Sequence, residues 1–207
     1  MRLFAESLGK LYGHRWVFTE LNFEIKSGFC LGVNGPNGSG KSTLLRILNG
    51  LSTPTAGKLA IENDNGVQWP VFPQQLIGTV TNDFQLYDEL TAEENLIFFS
   101  RLRDVSAGQD KLLERVGLRN VGRQRVAEFS SGMKQRLKLA FALISTPPIL
   151  ILDEPGISLD ASGRQLVSDI VIQGKLNGIV IVASNDDREL VHADYLVDMG
   201  KTGLDNC

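Results

Sequence analysis

A glycine-rich run that ends in a lysine and two hydroxyls carries the strongest chemical signal. Residues 35–43 read GPNGSGKST, which matches the phosphate-binding spacing G-x-x-x-x-G-K-[ST]. Glycines let backbone amides approach phosphate oxygens closely, and a helix starting there adds N–H groups aimed at the anion. In such a loop the lysine reaches the β- and γ-phosphates of a nucleotide, and the first hydroxyl ligates Mg²⁺. The predicted contacts to ATP come from Asn37, Gly38, Ser39, Gly40, Lys41, Ser42 and Thr43.

Two adjacent acids form the second signal. Asp153 and Glu154 follow the apolar run 149–152, and Pro155 comes next. A carboxylate at the end of a buried strand is a second anchor for Mg²⁺ in nucleotide-hydrolysing proteins, and this role is predicted for Asp153. Glu154 is then placed to polarise an attacking water. A surface acidic turn is the alternative, and the phosphate-binding run argues against it.

A serine and glycine run at a helix start is the third signal. Residues 129–136 read FSSGMKQR. A Ser hydroxyl and Gly amides at a helix N-terminus form an anion site, which predicts contacts from Ser130 and Gly132. Taken alone, the run would be an ordinary serine helix cap.

The elements around these motifs predict an α/β fold. Short apolar strands at 29–33, 149–152 and 179–183 do not alternate with polar residues, and helical patterns separate them. Such strands indicate a mainly parallel sheet covered on both faces. The first third reads as strands, with 17–25 alternating like a half-buried one, which predicts an antiparallel β part.

In the middle of the chain the pattern of apolar residues becomes helical. The segment 91–103 has a cap at Thr91, a Glu at the capping-box position, and apolar residues at helical spacing. We therefore predict a helical lobe at 83–125, inserted into a core made of 1–82 and 126–207, with the whole of 1–207 forming one unit.

Composition limits the class of protein. The 207 residues carry a net charge of −3, so bulk charge gives no reason to expect nucleic-acid binding. The two cysteines, Cys30 and Cys207, are too few and too far apart for a disulfide scaffold or a metal site. The apolar runs are too short to span a bilayer.

Taken together, the motifs resemble the ATP-binding subunits of ABC transporters. The Ser130 run resembles the signature of that family, and the likeness extends over 3–197. The resemblance implies the α/β P-loop NTPase core predicted above and ATP-driven dimerisation, most simply as a homodimer. Ser130 and Gly132 of one chain would then contact the γ-phosphate bound by Lys41 of the other.

The family also suggests roles for two further residues. Tyr12 lies where the family has an aromatic residue that stacks on adenine, and a strand-edge core tyrosine is the alternative. Asp160, in the run Ser-Leu-Asp, resembles a loop residue of the dimer interface, and a helix-capping aspartate is the alternative.

Two positions depart from the family pattern. Asn82 stands where the family has a glutamine near the metal, so a direct contact to Mg²⁺ could become water-mediated. Asn185 stands where the family has a histidine; its amide can donate to the γ-phosphate but does not titrate near neutral pH. Either this subfamily simply uses amides, or the protein is a slow ATPase.

The resemblance also implies partners and a location. The partners would be a membrane permease on another chain and a second cassette, with the protein on the cytoplasmic, inner face of the cell membrane. Compact cassettes of this kind resemble export types, including the haem exporter of cytochrome c maturation. A soluble ABC ATPase and an ATP-dependent dimerisation module with very slow hydrolysis are the alternatives.

Overall fold

A computed structural model of the chain describes residues 1–69, 74–105 and 108–200, which form two β-sheets and five α-helices. The antiparallel sheet has the order β2-β1-β4-β5, and the parallel sheet has the order β6-β7-β8-β3-β9. Both the α/β class and the antiparallel part are confirmed. Pro70 and Pro73, which the sequence marks as turn residues, lie outside the described residues.

The element bounds follow the sequence pattern closely. The strands are β1 Arg2–Tyr12, β2 Arg15–Lys26, β3 Cys30–Asn34, β4 Ala56–Glu62, β5 Gln68–Trp69, β6 Ile77–Val80, β7 Ile149–Asp153, β8 Ile179–Ser184 and β9 Tyr195–Asp198. The helices are α1 Lys41–Leu48, α2 Ala92–Leu102, α3 Gln109–Arg115, α4 Ser131–Ala142 and α5 Ala161–Asn177. The edge strand β9 has no counterpart in the sequence-based prediction.

The parallel strands are apolar on both faces because a different layer covers each face. Ile149 and Ile151 of β7 pack in one buried cluster with α1 and the antiparallel sheet. Leu150 and Leu152 pack in the other cluster, with α4 and α5. Successive side chains of a strand point to opposite faces, so a run without polar alternation is required here.

The helices α2 and α3 lie inside the segment predicted as a lobe. The capping box at Thr91 forms, with the Glu94 amide donating to the Thr91 hydroxyl and the Glu94 carboxylate accepting from the Thr91 amide. Leu96 and Leu113 are fully buried in the same cluster as α4. The division of the chain at 82/83 and 125/126 remains a prediction.

Among the described residues, no helix is long and apolar enough to cross a membrane.

Candidate functional site

The predicted site residues gather at one edge of the parallel sheet. The glycine-rich run follows β3, Asn82 follows β6, Glu154 follows β7 and Asn185 follows β8. These strands are parallel, so their carboxyl ends meet at the same edge, which is where open α/β sheets bind ligands. A pocket of about 500 Å³ opens there. It is lined by Tyr12, Arg15, Trp16, Val17, Pro36, Asn37, Gly38, Gly40, Lys41, Ser42, Thr43, Asn82 and Glu154.

The phosphate-binding run requires glycine at its turn into α1. Gly40 has φ +101° and is the N-cap of α1, and among the described residues no side chain caps this helix. A Cβ on Gly40 would lie 2.6 Å from Cγ1 of Val17. The first N–H groups of α1 are therefore left without a side-chain partner, at the end of the helix where the dipole favours an anion.

Lys41 is buried beneath the loop, with 6% of its surface exposed. Its ammonium donates to the carbonyl oxygen of Gly35 at 2.6 Å and to that of Pro36 at 3.3 Å. Ser39 stays in the loop without lining the pocket, and its amide donates to the Pro36 oxygen at 3.2 Å. The loop thus holds a buried positive charge next to the uncapped helix start.

Ser42 and Asp153 meet below the pocket. The Ser42 hydroxyl lies 3.3 Å from Oδ2 of Asp153, and Asp153 is buried with 3% of its surface exposed. Burial raises the pKa of Asp153, and the Ser42 hydrogen bond opposes that rise. A buried carboxylate whose contact is a hydroxyl fits a divalent cation that takes oxygen ligands. Among the described residues no three Asp, Glu, His or Cys side chains form a group that could hold a metal ion.

Glu154 lines the pocket from a strained backbone position. Its φ of +46° lies in the left-handed region, and its amide donates to the oxygen of Ala183 on β8 at 2.8 Å. Asn185, at the end of β8, donates from its side-chain amide to Oδ1 of Asn37 at 3.3 Å. Glu154 and Asn185 therefore approach the phosphate-binding run from two neighbouring strands.

Tyr12 lines the same pocket from the end of β1. Half of its surface, 51%, is exposed, which argues against a core role for the ring. The Lys10 ammonium lies 5.0 Å from the ring centroid and covers one face. The β1–β2 hairpin pairs Tyr12 with Arg15 and Leu11 with Trp16.

Arg15, Trp16 and Val17 line the pocket beside Tyr12, and sequence reasoning missed all three. The signal that could have found them is the turn at Gly13, with φ +59°, two residues before Arg15. A glycine of this kind predicts a tight hairpin, which returns the next residues to the wall already occupied by Tyr12.

Ser130, Gly132 and Asp160 lie at the starts of α4 and α5 and do not line the pocket of their own chain. Ser130 caps α4 and accepts from the Met133 amide at 3.2 Å. Gly132 sits against the Ser158 carbonyl, where a Cβ would be 3.0 Å from that oxygen. Asp160 caps α5, accepting from the Gly163 amide at 2.8 Å and from Arg136 at 3.1 Å. The Gly163 hydrogen bond is the main cause that lowers the pKa of Asp160.

Comparison with known proteins gives consistent names. The family profile described as "ABC transporter" matches residues 18–156. The lantibiotic transport ATP-binding protein SrtF of Streptococcus pyogenes is 38% identical over 194 residues, covering 93% of this chain and 82% of that protein. The Nod factor export ATP-binding protein I of Rhizobium etli is 40% identical over 168 residues, covering 77% of this chain and 52% of that protein. The sulfate/thiosulfate import ATP-binding protein CysA of Mesostigma viride is 36% identical over 205 residues, covering 95% and 59%.

A solved structure agrees with these relatives. The dimeric structure of an ATP-binding cassette in a post-hydrolysis state, bound to ADP and Pi, superposes with a TM-score of 0.80. It is 26% identical, and the match covers 96% of this chain and 95% of that one.

Proposed function

The chain belongs to the ABC transporter family of ATP-binding proteins, and on that premise we propose that its pocket hydrolyses ATP to drive a separate membrane permease. One observation carries the proposal. An uncapped helix start, a buried lysine and a glutamate line a single pocket at the carboxyl edge of the parallel sheet, and Ser42 of that pocket contacts the buried Asp153. Phosphoryl transfer needs these groups, since its catalysis consists of positioning and charge stabilisation.

Each group has a distinct role in the proposed reaction. The phosphates of ATP bind the amides of the 35–43 loop, and Lys41 leaves its carbonyl partners to contact the β- and γ-phosphates. Ser42 and Asp153 would hold Mg²⁺, with Asn82 beside them, and the bound ion would neutralise charge on the phosphate oxygens. The adenine stacks on the face of Tyr12 that Lys10 leaves open.

Glu154 acts on the attacking water. It orients the water in line with the γ-phosphorus and accepts a proton as the new P–O bond forms. The bond from the γ-phosphorus to the bridging oxygen breaks, which leaves ADP and inorganic phosphate. Asn185 donates from its amide to the γ-phosphate, and its contact with Asn37 already places that amide beside the loop.

A second copy of the chain completes the site in this proposal. Ser130 and Gly132 do not line the pocket of their own chain, and Ser130 starts a helix whose N-terminus favours an anion. ATP would join the two copies, with the γ-phosphate bound on one side by Lys41 and on the other by Ser130. Loss of the phosphate then removes the bridging charge and loosens the dimer.

The permease would dock beside residues 82–87. Tyr87 and Phe98 are both exposed there, at 45% and 38%, and their rings pack edge to face at 5.1 Å. Docking at this surface would place the protein on the inner face of the cell membrane.

We propose export as the direction, by analogy with the Nod factor export relative. The import relative makes import the competing outcome of a transport assay. The haem-exporter subtype is not confirmed by these relatives and stays a prediction.

Glu154→Gln provides the direct test. The substitution keeps the size of the side chain and removes the base, so we expect phosphate release to fall at least a hundredfold while ATP binding persists. Light scattering should then detect a dimer of this variant with Mg-ATP and a monomer without nucleotide. Turnover at the wild-type rate would show that Glu154 is not the base.

A dimerisation module with very slow hydrolysis is the second candidate. Asn82 and Asn185 favour it, because Asn82 has a shorter side chain than the family's glutamine and Asn185 replaces a histidine with an amide that does not titrate. Steady-state phosphate release by the wild type separates the two candidates. An ATP-dependent dimer with negligible phosphate release would favour the second.

A further inference from the structure

Glu189 joins two segments that approach the pocket from different strands. It lies four residues after Asn185, and its Oε1 accepts a hydrogen bond at 2.9 Å from the amide of Gly156, two residues after Glu154. The two partners are 33 residues apart in sequence. One side chain thus links the loop that carries the proposed base to the loop that carries the proposed γ-phosphate donor.

Gly156 is what allows this contact. A Cβ at position 156 would lie 2.2 Å from Oε1 of Glu189, a distance that no real contact allows. The backbone of Gly156 does not adopt the left-handed conformation that favours glycine, so the conformation alone would accept alanine. The carboxylate of Glu189 therefore occupies the space that a Cβ at position 156 would take, and a larger residue there would displace it.

Short-range hydrogen bonds fix Glu189 relative to Asn185. The Asp186 amide donates to the Ser184 hydroxyl at 3.0 Å, and the Glu189 amide donates to the Asp186 oxygen at 3.0 Å. On the other segment, the Ile157 amide donates to the oxygen of Glu154 at 3.1 Å. A movement of Glu189 would be passed to both loops because each is a tight turn.

Folding alone does not favour a carboxylate here. Burial raises the pKa of Glu189, hydrogen bonding to Ser184 and to the Gly156 amide opposes that rise, and the charges of Asp186 and Glu154 add to it. Its Oε2 is buried, and no hydrogen bond of normal geometry reaches it in the described part of the chain. Burying a carboxylate costs stability, so the bridge between the two loops is not explained by a gain in folding stability.

We propose that Glu189 is a positioning residue for the hydrolysis reaction. It fixes the separation between Glu154 and Asn185 across the γ-phosphate by bonding the Gly156 amide, and it does not touch the nucleotide. The inference rests on the proposed function, and it predicts an effect on the chemical step and not on ATP binding. Displacement of a reacting group by about 1 Å can cost on the order of a hundredfold in rate.

Steady-state phosphate release and Mg-ATP binding by the full chain test the proposal. We expect Glu189→Ala to lower kcat about tenfold to a hundredfold with KM and ATP affinity unchanged. Glu189→Gln should stay within about threefold of the wild type, because the amide oxygen can still accept from Gly156. Asp187→Ala is the matched control. It removes an exposed acid from the same turn and should leave kcat unchanged.

Gly156→Ala completes a double-mutant cycle. The new Cβ should displace the carboxylate and lower kcat as much as Glu189→Ala does, and the double variant should show no further loss. Thermal unfolding would show whether Glu189→Ala folds. If it does not, Gly156→Ala still tests the contact, because that variant retains the Glu189 side chain.

Three results would overturn the inference. They are wild-type kcat in Glu189→Ala, an equal loss in Glu189→Gln and Glu189→Ala, and additive losses in the cycle. Absence of turnover in both the wild type and Asp187→Ala would instead contradict the proposed function.

Discussion

The starts of α1 and α4 are both predicted anion sites, yet they are built differently. At α1 the cap is Gly40, in a left-handed conformation, and no described side chain satisfies the first amides. At α4 the cap is Ser130, whose hydroxyl already accepts from the Met133 amide. The first helix start leaves its donors for a ligand, and the second satisfies one of them itself.

The difference separates two parts of the proposed work. The start of α1 is joined by a buried lysine and a Ser–Asp pair, and in our proposal these groups bind the β- and γ-phosphates within one chain. The start of α4 has a cap and does not line the pocket of its own chain, and in our proposal it contributes to ATP binding through a second chain. The α1 end should therefore govern affinity, and the α4 end should govern dimerisation and turnover.

Among the variants that test this comparison of α1 with α4, Lys41→Ala should have the largest effect. This change removes the positive charge beside the uncapped helix start, and a hydrogen bond to a charged group contributes about 1.5–3 kcal/mol. We expect Mg-ATP affinity to fall about tenfold to a hundredfold, measured by titration calorimetry. Lys26→Ala, which removes an exposed lysine from β2, should bind ATP normally. Tight ATP binding by Lys41→Ala would contradict the expectation that the start of α1 governs ATP affinity.

Ser130→Ala should have the next largest effect, and Thr91→Ala is its matched control. Both changes remove a hydroxyl that caps a helix, so both should cost about 1 kcal/mol of unfolding free energy in denaturant titrations. Only Ser130→Ala should also weaken the ATP-dependent dimer and lower phosphate release. If the two variants lose turnover equally, the start of α4 has no role beyond capping.

A smaller effect is expected for Tyr12→Ala. Stacking of a base on an aromatic ring is worth about 1–3 kcal/mol, so KM for ATP should rise about fivefold or more with kcat unchanged. Tyr12→Phe keeps the ring and should behave as the wild type. A kcat loss with unchanged KM would mean that the ring does not contact adenine. Another pocket residue would then have to stack on the adenine, and Trp16 is the first candidate.

The smallest effect should come from Asn185→His. The Asn185 amide already donates towards the phosphate-binding loop, so the imidazole adds little to a donor that is in place. We expect kcat to stay within about threefold of the wild type in phosphate-release assays near pH 7. A rise of tenfold or more would instead favour the slow-ATPase alternative.

The site at the start of α1 could be predicted from the sequence because its motifs are local. The spacing of Gly40, Lys41 and Ser42 fixes their arrangement because they are contiguous, and the apolar run before Asp153 fixes the strand that presents it. The fold class followed from the same runs. The structure places both motifs at one sheet edge, as parallel strands require.

Contacts between distant segments could not be predicted in this way. Trp16 reaches the pocket only because the hairpin register brings it back beside Tyr12, and Glu189 meets Gly156 across 33 residues. The strand β9 was missed because its apolar run, Tyr195 to Val197, has only three residues and is too short to be assigned as a strand from the sequence. Such features depend on tertiary packing, which a single sequence does not encode locally.

The left-handed backbone conformation at Glu154 lowers the stability of the fold, while the side chain supplies the carboxylate that the proposed reaction uses. A non-glycine residue in that region costs on the order of 1 kcal/mol, and glycine would adopt the same φ without that cost. A glycine at 154 would relieve the strain and remove the carboxylate, so in the proposed mechanism a gain in heat resistance at this position would cost turnover. Engineering this chain for thermal stability should therefore leave position 154 unchanged and seek its gains elsewhere.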